Sequence, residues 1–185
     1  MKTLAIALSG AVIMGVTASA TAGDYILDQN QPNANVYMAA FSQTDLAQSF
    51  QQSADNIAGA GIQLYTTGSS GTVIISVWDA LPNAGGNMLA QASDVGSPGE
   101  WIDVYWDPVD VTPGETYYLV FEDEGNTGMG IYGDVNNPYP YGHVFANPGY
   151  QPFPDYDYTF RTWAIPAPGA LALLGLAGLV RTRRR

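Results

Sequence analysis

The sequence predicts an all-β protein, an antiparallel β-sandwich of jelly-roll type flanked by an N-terminal signal helix and a C-terminal hydrophobic helix. Strand-like segments recur roughly every ten residues without a helical period between them, and the 185 residues include 21 Gly and 12 Pro. A hydrophobic fraction of 46% is enough for a buried core. We therefore divide the chain into a signal peptide at 1–22, a β-sandwich domain at 23–164 and a sorting or anchor segment at 165–185. A small closed barrel is the alternative architecture.

The N-terminus has the three parts of a secretory signal peptide. Lys2 gives a short positive start, residues 4–16 form an apolar run, and small residues follow. We predict cleavage after Ala20 or Ala22. A retained N-terminal membrane anchor is the alternative.

The strands are predicted from alternating polarity. Residues 72–78 and 100–107 place apolar side chains at every second position, as a half-buried strand does. Residues 116–121 are apolar on both faces and are predicted to form a central strand. Weaker strands are predicted at 24–28, 36–39, 46–52, 59–66, 88–95, 129–132 and 158–164. The sequence Thr112-Pro113-Gly114-Glu115 predicts a type II turn, which needs Gly at its third position.

The charges are segregated along the chain. The body between residues 23 and 164 holds all seventeen acidic residues and one base, Arg161, so its net charge is −16. Nucleic acid is excluded as a partner, because affinity for phosphates comes from Lys and Arg. We expect Arg161 to form a structural ion pair, with Asp155 or Asp157 as its predicted partner.

The C-terminal segment joins Pro166-Ala167-Pro168 to an apolar run at 169–180 and a basic end. As a helix, this run would span about 18 Å, less than the ~30 Å hydrocarbon core. The basic end consists of Arg181, Arg183, Arg184 and Arg185.

This three-part order resembles the PEP-CTERM sorting signal of bacterial envelope proteins. The resemblance implies export across the inner membrane, transient anchoring through the tail, and processing near Pro166 by an exosortase-type protease. Ala167 stands where the family usually has Glu. A plain C-terminal anchor is the alternative.

The body also resembles secreted jelly-roll or carbohydrate-binding-module-like β-sandwich modules. The resemblance rests on residues 47–50, 75–79, 111–121 and 160–162. It implies a binding or architectural module of the cell surface.

A segment rich in Tyr and Pro, residues 137–158, is the predicted ligand-binding region. Tyrosine presents an apolar ring and a hydroxyl together, which suits sugar C–H faces and hydroxyls. The predicted glycan contacts are Tyr139, Tyr141, Tyr150, Tyr156, Asp155 and Asp157. In the alternative interpretation, the rings fold under the segment as a satellite core.

Acidic and amide residues flank the strand predicted at 129–132. Carboxylate and carbonyl oxygens are the ligands that Ca²⁺ prefers. A structural Ca²⁺ is predicted at some of Asp123, Glu124, Asn126, Asp134 and Asn136. An exposed acidic turn is the alternative.

The sequence favours a non-enzymatic module. It has no cysteine and one histidine, His143, and its body has no lysine, which removes cysteine nucleophiles, zinc sites built on several histidines and Schiff-base chemistry. We expect an envelope or extracellular-matrix module that meets polysaccharide. A self-assembling or protein-binding surface protein and a two-carboxylate glycosidase are the alternatives.

Overall fold

The computed structural model describes residues 25–125 and 127–166, and within these ranges the fold is nearly all β. Every strand pairing is antiparallel. The predicted antiparallel all-β fold is therefore confirmed. The predicted signal peptide, the two terminal helices and the apolar and basic parts of the tail lie outside the described residues.

Thirteen strands and one short 3₁₀ helix (Pro82–Ala84) are present in the described residues. The strands are β1 (Ile26–Gln31), β2 (Val36–Ala40), β3 (Leu46–Gln51), β4 (Asn56–Gln63), β5 (Gly71–Trp78), β6 (Met88–Gly96), β7 (Trp101–Asp110), β8 (Thr116–Asp123), β9 (Gly130–Asp134), β10 (Val144–Ala146), β11 (Gln151–Phe153), β12 (Asp157–Tyr158) and β13 (Phe160–Ala164).

The strands form three sheets around one apolar core. The six-stranded sheet has the order β11-β10-β3-β8-β5-β6, the four-stranded sheet β1-β13-β4-β7 and the three-stranded sheet β12-β9-β2. All three sheets contribute buried side chains to the core, for example Phe50, Phe160 and Ile131.

The period-two pattern identified the faces of the central strands correctly. Val73, Ile75 and Val77 are fully buried. Strand β8 lies between β3 and β5, as its two apolar faces predicted. The predicted type II turn is also present, because Gly114 has a φ of +81° and Glu115 N–H donates to the carbonyl of Thr112 over 3.2 Å.

The prediction was wrong at the last strand. Residues 158–164 do not form one strand, because the chain moves from the three-stranded to the four-stranded sheet at Thr159, whose N–H donates to the carbonyl of Tyr132 over 2.9 Å. Strands β10, β11 and β12 are short and lie within residues 137–158, and the rest of that segment connects them. Pro152 is tolerated there because β11 is an edge strand.

The two ends of the described domain lie side by side. Ile26 at the start of β1 pairs with Ala164 at the end of β13. The next residue, Ile165, is held by Asn56: the amide Nδ2 donates to the carbonyl of Ile165, and Ile165 N–H donates to Asn56 Oδ1, both over 2.9 Å. Because these two hydrogen bonds come directly before Pro166, they fix the position at which the C-terminal segment leaves the fold. Within the two described ranges, no helix has the length and hydropathy needed to cross a membrane.

Candidate functional site

The four predicted glycan-binding tyrosines do not form one platform. Tyr139 is only 6% exposed, and its ring meets that of Phe160 edge-on with centroids 5.0 Å apart. Its hydroxyl donates to Gln29 Oε1 over 2.9 Å, and burial raises its pKa to about 12. Tyr139 therefore stabilises the fold, and its ring is not available to a ligand.

The two predicted acidic contacts also differ in their exposure to solvent. Asp155 is exposed, whereas Asp157 is fully buried. The Asp157 carboxylate accepts hydrogen bonds from Gln48 Nε2 at 2.8 Å and from Tyr139 N–H at 3.0 Å, and burial raises its pKa. Asp157 is thus a structural residue and cannot accept hydroxyls of a surface glycan.

Neither Asp155 nor Asp157 is the partner of Arg161. The guanidinium of Arg161 forms a two-pronged ion pair with Asp103, in which Nε donates to Oδ1 over 2.6 Å and Nη2 contacts Oδ2. The two residues meet because both lie opposite Gly61 of β4, one on β13 and the other on β7. Sequence reasoning predicted the ion pair and missed its partner, because the order of strands in a sheet is not written in the local sequence.

Tyr141 is the predicted contact that is most available, with 60% of its surface exposed. It lies over a groove of about 360 Å³ on the outer face of the six-stranded sheet. We call this the tyrosine groove; its lining includes Tyr118, Tyr141, His143, Phe145, Gln51 and Thr116. The groove combines aromatic rings with amide and hydroxyl groups.

The groove has a fixed floor. The rings of Tyr118 and Phe145 meet edge-on at 5.7 Å, and the imidazole of His143 lies 4.5 Å from the Phe145 ring. Partial burial lowers the pKa of His143, which favours the uncharged form of its imidazole. Ser49 Oγ accepts the backbone N–H of His143 over 2.9 Å, which anchors the segment to β3.

The other two tyrosines lie elsewhere. Tyr150 is half-buried against Phe145 and Val120; burial and the nearby carboxylates of Asp45 and Glu122 raise its pKa to about 12. Tyr156 stacks on Phe153 with centroids 5.9 Å apart and lines a separate pocket of about 210 Å³. Tyr141 and Tyr156 therefore serve different surfaces.

The five predicted calcium ligands are not brought together as one site. Asp123 ends β8 and accepts the hydroxyl hydrogen of Thr127 over 2.6 Å, and Glu124 lies in the exposed turn that follows. Asp134 lies at the far end of β9, about 13 Å along that strand. Asn126 falls outside the described residues. Among residues 25–125 and 127–166, no group of three or more His, Cys, Asp or Glu side chains is placed to share a metal ion.

Asp134 instead faces Asp157 across the β9–β12 pair. Asp134 is buried, and its Oδ1 accepts hydrogen bonds from both the backbone N–H and the side-chain amide of Asn136. A glycosidase needs two carboxylates that face a substrate cleft. The burial of Asp134 and Asp157 closes them off from a polysaccharide substrate.

Comparisons with known proteins show a similarity of fold. No family model matches the chain, and no curated protein of related sequence was found. Among solved structures, the chain is similar to the clostridial cysteine protease Cwp84 after propeptide cleavage, with a TM-score of 0.51 and 11% identity over 80% of this chain and 42% of that one. The chain thus spans less than half of that structure. At this identity the likeness shows a shared fold and not a shared activity.

Proposed function

We propose that this protein is an exported, non-enzymatic module of the cell envelope or extracellular matrix that binds polysaccharide through a jelly-roll-like β-sandwich. The observation that carries the proposal is the tyrosine groove, whose lining includes the exposed ring of Tyr141 together with Tyr118 and the imidazole of His143. Aromatic faces pack against sugar C–H groups, and the amide of Gln51 can both donate to and accept from sugar hydroxyls.

The charge of the body supports a neutral or hydroxyl-rich ligand. Sixteen excess negative charges repel nucleic acid and anionic lipid. Hydrogen bonds to hydroxyls need no opposite charge, so a polysaccharide satisfies both the shape and the electrostatics of the groove.

Export and sorting are proposed from the two ends of the chain. The signal-like start directs the chain to the export machinery, and the PEP-CTERM-like tail holds it at the membrane until an exosortase-type protease acts. Fractionating the producing cells and sequencing both mature termini tests this. An intact polypeptide recovered from the cytosol would refute export, and an uncut tail in the membrane would favour the plain anchor.

A glycan array tests the sugar-binding part. We expect wild type to bind, and we expect the double variant Tyr141→Ala/Tyr118→Ala to lose about tenfold or more in affinity, since each aromatic contact contributes roughly 0.5–1.5 kcal/mol. Tyr156→Ala is the matched control, because it removes an exposed tyrosine from a different pocket. Silence of wild type on all neutral and uronic glycans would refute sugar binding.

Self-assembly is the second candidate, favoured by the exposed Ile26 and Leu27 on the edge strand β1. An unpaired edge with apolar side chains is a template for a second chain. Concentration-dependent association in sedimentation that Leu27→Lys abolishes would support this candidate.

A structural Ca²⁺ held by some of Asp123, Glu124, Asn126, Asp134 and Asn136 remains a proposal. Thermal unfolding with Ca²⁺ and with a chelator tests it. A midpoint that is the same in both conditions would rule it out.

A further inference from the structure

We infer that the outer face of the four-stranded sheet is a second carbohydrate-binding surface, which takes a chain of neutral sugars. This inference rests on the proposed function, because it assumes that the module binds polysaccharide. We call this surface the tryptophan face; it consists of Trp101, Asp103 and Tyr105 on β7 and Arg161 and Trp163 on β13.

The pleat of the sheet places these five side chains on one face. On β7, the alternate residues Ile102 and Val104 are buried in the core, so Trp101, Asp103 and Tyr105 point the other way. On β13, the alternate residues Phe160, Thr162 and Ala164 are buried, so Arg161 and Trp163 also point outwards.

Two glycines on the strand between them make room for the side chains. Gly61 pairs with Asp103 on one side and Arg161 on the other, and Gly59 pairs with Tyr105 and Trp163. A Cβ built on Gly59 would lie 2.8 Å from Cδ1 of Tyr105 and 3.4 Å from Cδ1 of Trp163. The rings therefore lean over the glycine strand and form a continuous low surface.

Hydrogen bonds fix this surface before any ligand arrives. Asp103 Oδ1 accepts from both Arg161 Nε at 2.6 Å and Trp163 Nε1 at 3.0 Å. The guanidinium carbon of Arg161 lies 4.3 Å from the ring centroid of Trp101 and 5.4 Å from that of Trp163, a cation–π arrangement. A rigid surface loses little side-chain entropy on binding, which favours affinity.

The rings continue beyond the ion pair. The centroids of Tyr105 and Trp163 are 6.1 Å apart, and the ring of Tyr25 lies 4.5 Å from that of Tyr105. Tyr105 is 44% exposed. The face extends over β7, β4 and β13, and three strands at a spacing of about 4.8 Å span roughly 10 Å, which suits two sugar rings in a row rather than one.

Electrostatics select a neutral chain. The positive charge of Arg161 is compensated by Asp103, so the face offers no free cation to a uronic acid. The excess of acidic residues in the body repels an anionic polysaccharide further. The aromatic rings of the face suit the C–H faces of neutral sugars, and the hydroxyl of Tyr105 suits their hydroxyls.

The tyrosine groove and the tryptophan face lie on the outer faces of different sheets that share one core. Tyr118 alternates with the core residues Tyr117 and Leu119 of the six-stranded sheet, as Trp163 does with those of the four-stranded sheet. One molecule can therefore hold two polysaccharide chains at once and cross-link them.

Depletion assays on insoluble cellulose, chitin and curdlan, with soluble alginate as the anionic probe, test the inference. We expect wild type to bind at least one neutral solid, and we expect Trp163→Ala and Trp101→Ala each to lower that affinity about tenfold. Trp163→Phe, which keeps a ring, should retain most binding even if the alanine variant folds poorly. Val95→Ala, an exposed apolar substitution on β6, should bind as wild type does.

Cross-linking gives a second readout. Wild type should raise the viscosity of hydroxyethylcellulose, whereas Trp163→Ala and the double variant Tyr141→Ala/Tyr118→Ala should each bind without raising it.

Two results would overturn the inference and leave the proposed function intact. One is binding to a neutral polysaccharide that only the double variant reduces, and the other is binding to alginate alone. No binding to any probe would overturn both. If Trp163→Ala instead abolished self-association without changing sugar binding, the face would be a protein interface and the inference would fail.

Discussion

At the scale of single residues, the hydroxyl groups of two buried tyrosines differ in their surroundings. The hydroxyl of Tyr139 donates to Gln29 and accepts from the backbone of Gln51. The hydroxyl of Tyr158 is buried and finds no hydrogen-bond partner among the described residues, and burial raises its pKa. Burying a hydroxyl without a partner costs free energy.

We therefore expect Tyr158→Phe to raise the free energy of unfolding by about 1 kcal/mol, because it removes the unpartnered group and keeps the ring. Tyr139→Phe is the matched control and should lower it by a similar amount, because it leaves Gln29 and Gln51 unpaired. Denaturant unfolding of the two variants measures both effects. Equal losses in the two proteins would contradict the assignment.

At the scale of elements, the sequence patterns located most strands but not their neighbours. Alternation placed Val73, Ile75 and Val77 correctly because burial on one face of a strand is a local property of period two. The partner of Arg161 could not be predicted, because it depends on β7 and β13 being two strands apart in the sheet. The Tyr- and Pro-rich pattern of residues 137–158 gave no signal for β10 and β11. Each strand has only three residues, and β11 contains Pro152, which an edge strand tolerates.

Strand β4 gives a prediction at this scale. A Cβ on Gly61 would lie 2.2 Å from Asp103 Oδ1 and 2.7 Å from the carbonyl of Ile102. Gly61→Ala should therefore displace Asp103, weaken the ion pair and lower the free energy of unfolding by about 1–3 kcal/mol. Val95→Ala should change it by less than about 0.5 kcal/mol. A Gly61→Ala protein as stable as wild type, measured by denaturant unfolding, would show that the strand has room to adjust.

At the scale of the whole molecule, charge and fold class were predictable and the two proposed binding surfaces were not. Composition and charge segregation identified an acidic body, and turn and strand spacing identified an all-β fold. The predicted glycan-binding residues do not form one surface, because Tyr139 and Asp157 are buried while Tyr141 and Tyr156 face different pockets. The tryptophan face was missed because its five members are spread over two strands far apart in sequence, and only the sheet order unites them.

The acidic body also predicts how stability depends on pH. Burial raises the folded-state pKa of Asp157 above its unfolded value, so the native state keeps this proton longer than the unfolded state does. Its contribution to stability is full below the unfolded pKa near 4 and is lost as pH rises through the folded pKa. Unfolding free energies measured from pH 4 to 7 should therefore fall more steeply in wild type than in Asp157→Asn. Asp155→Asn, an exposed neighbour, should keep the wild-type slope, and an unchanged slope in Asp157→Asn would refute this assignment.

The two hydrogen bonds between Asn56 and Ile165 have a mechanical consequence for any force applied at the C-terminal segment. Strand β13 is hydrogen-bonded to β1 on one side and β4 on the other, and the two hydrogen bonds to Asn56 hold the residue that directly follows the strand. A pull on the C-terminal segment along the strand axis would load both ladders in shear at once, rather than peel them open bond by bond. Such a force would thus be borne first by the strand that also carries Arg161 and Trp163.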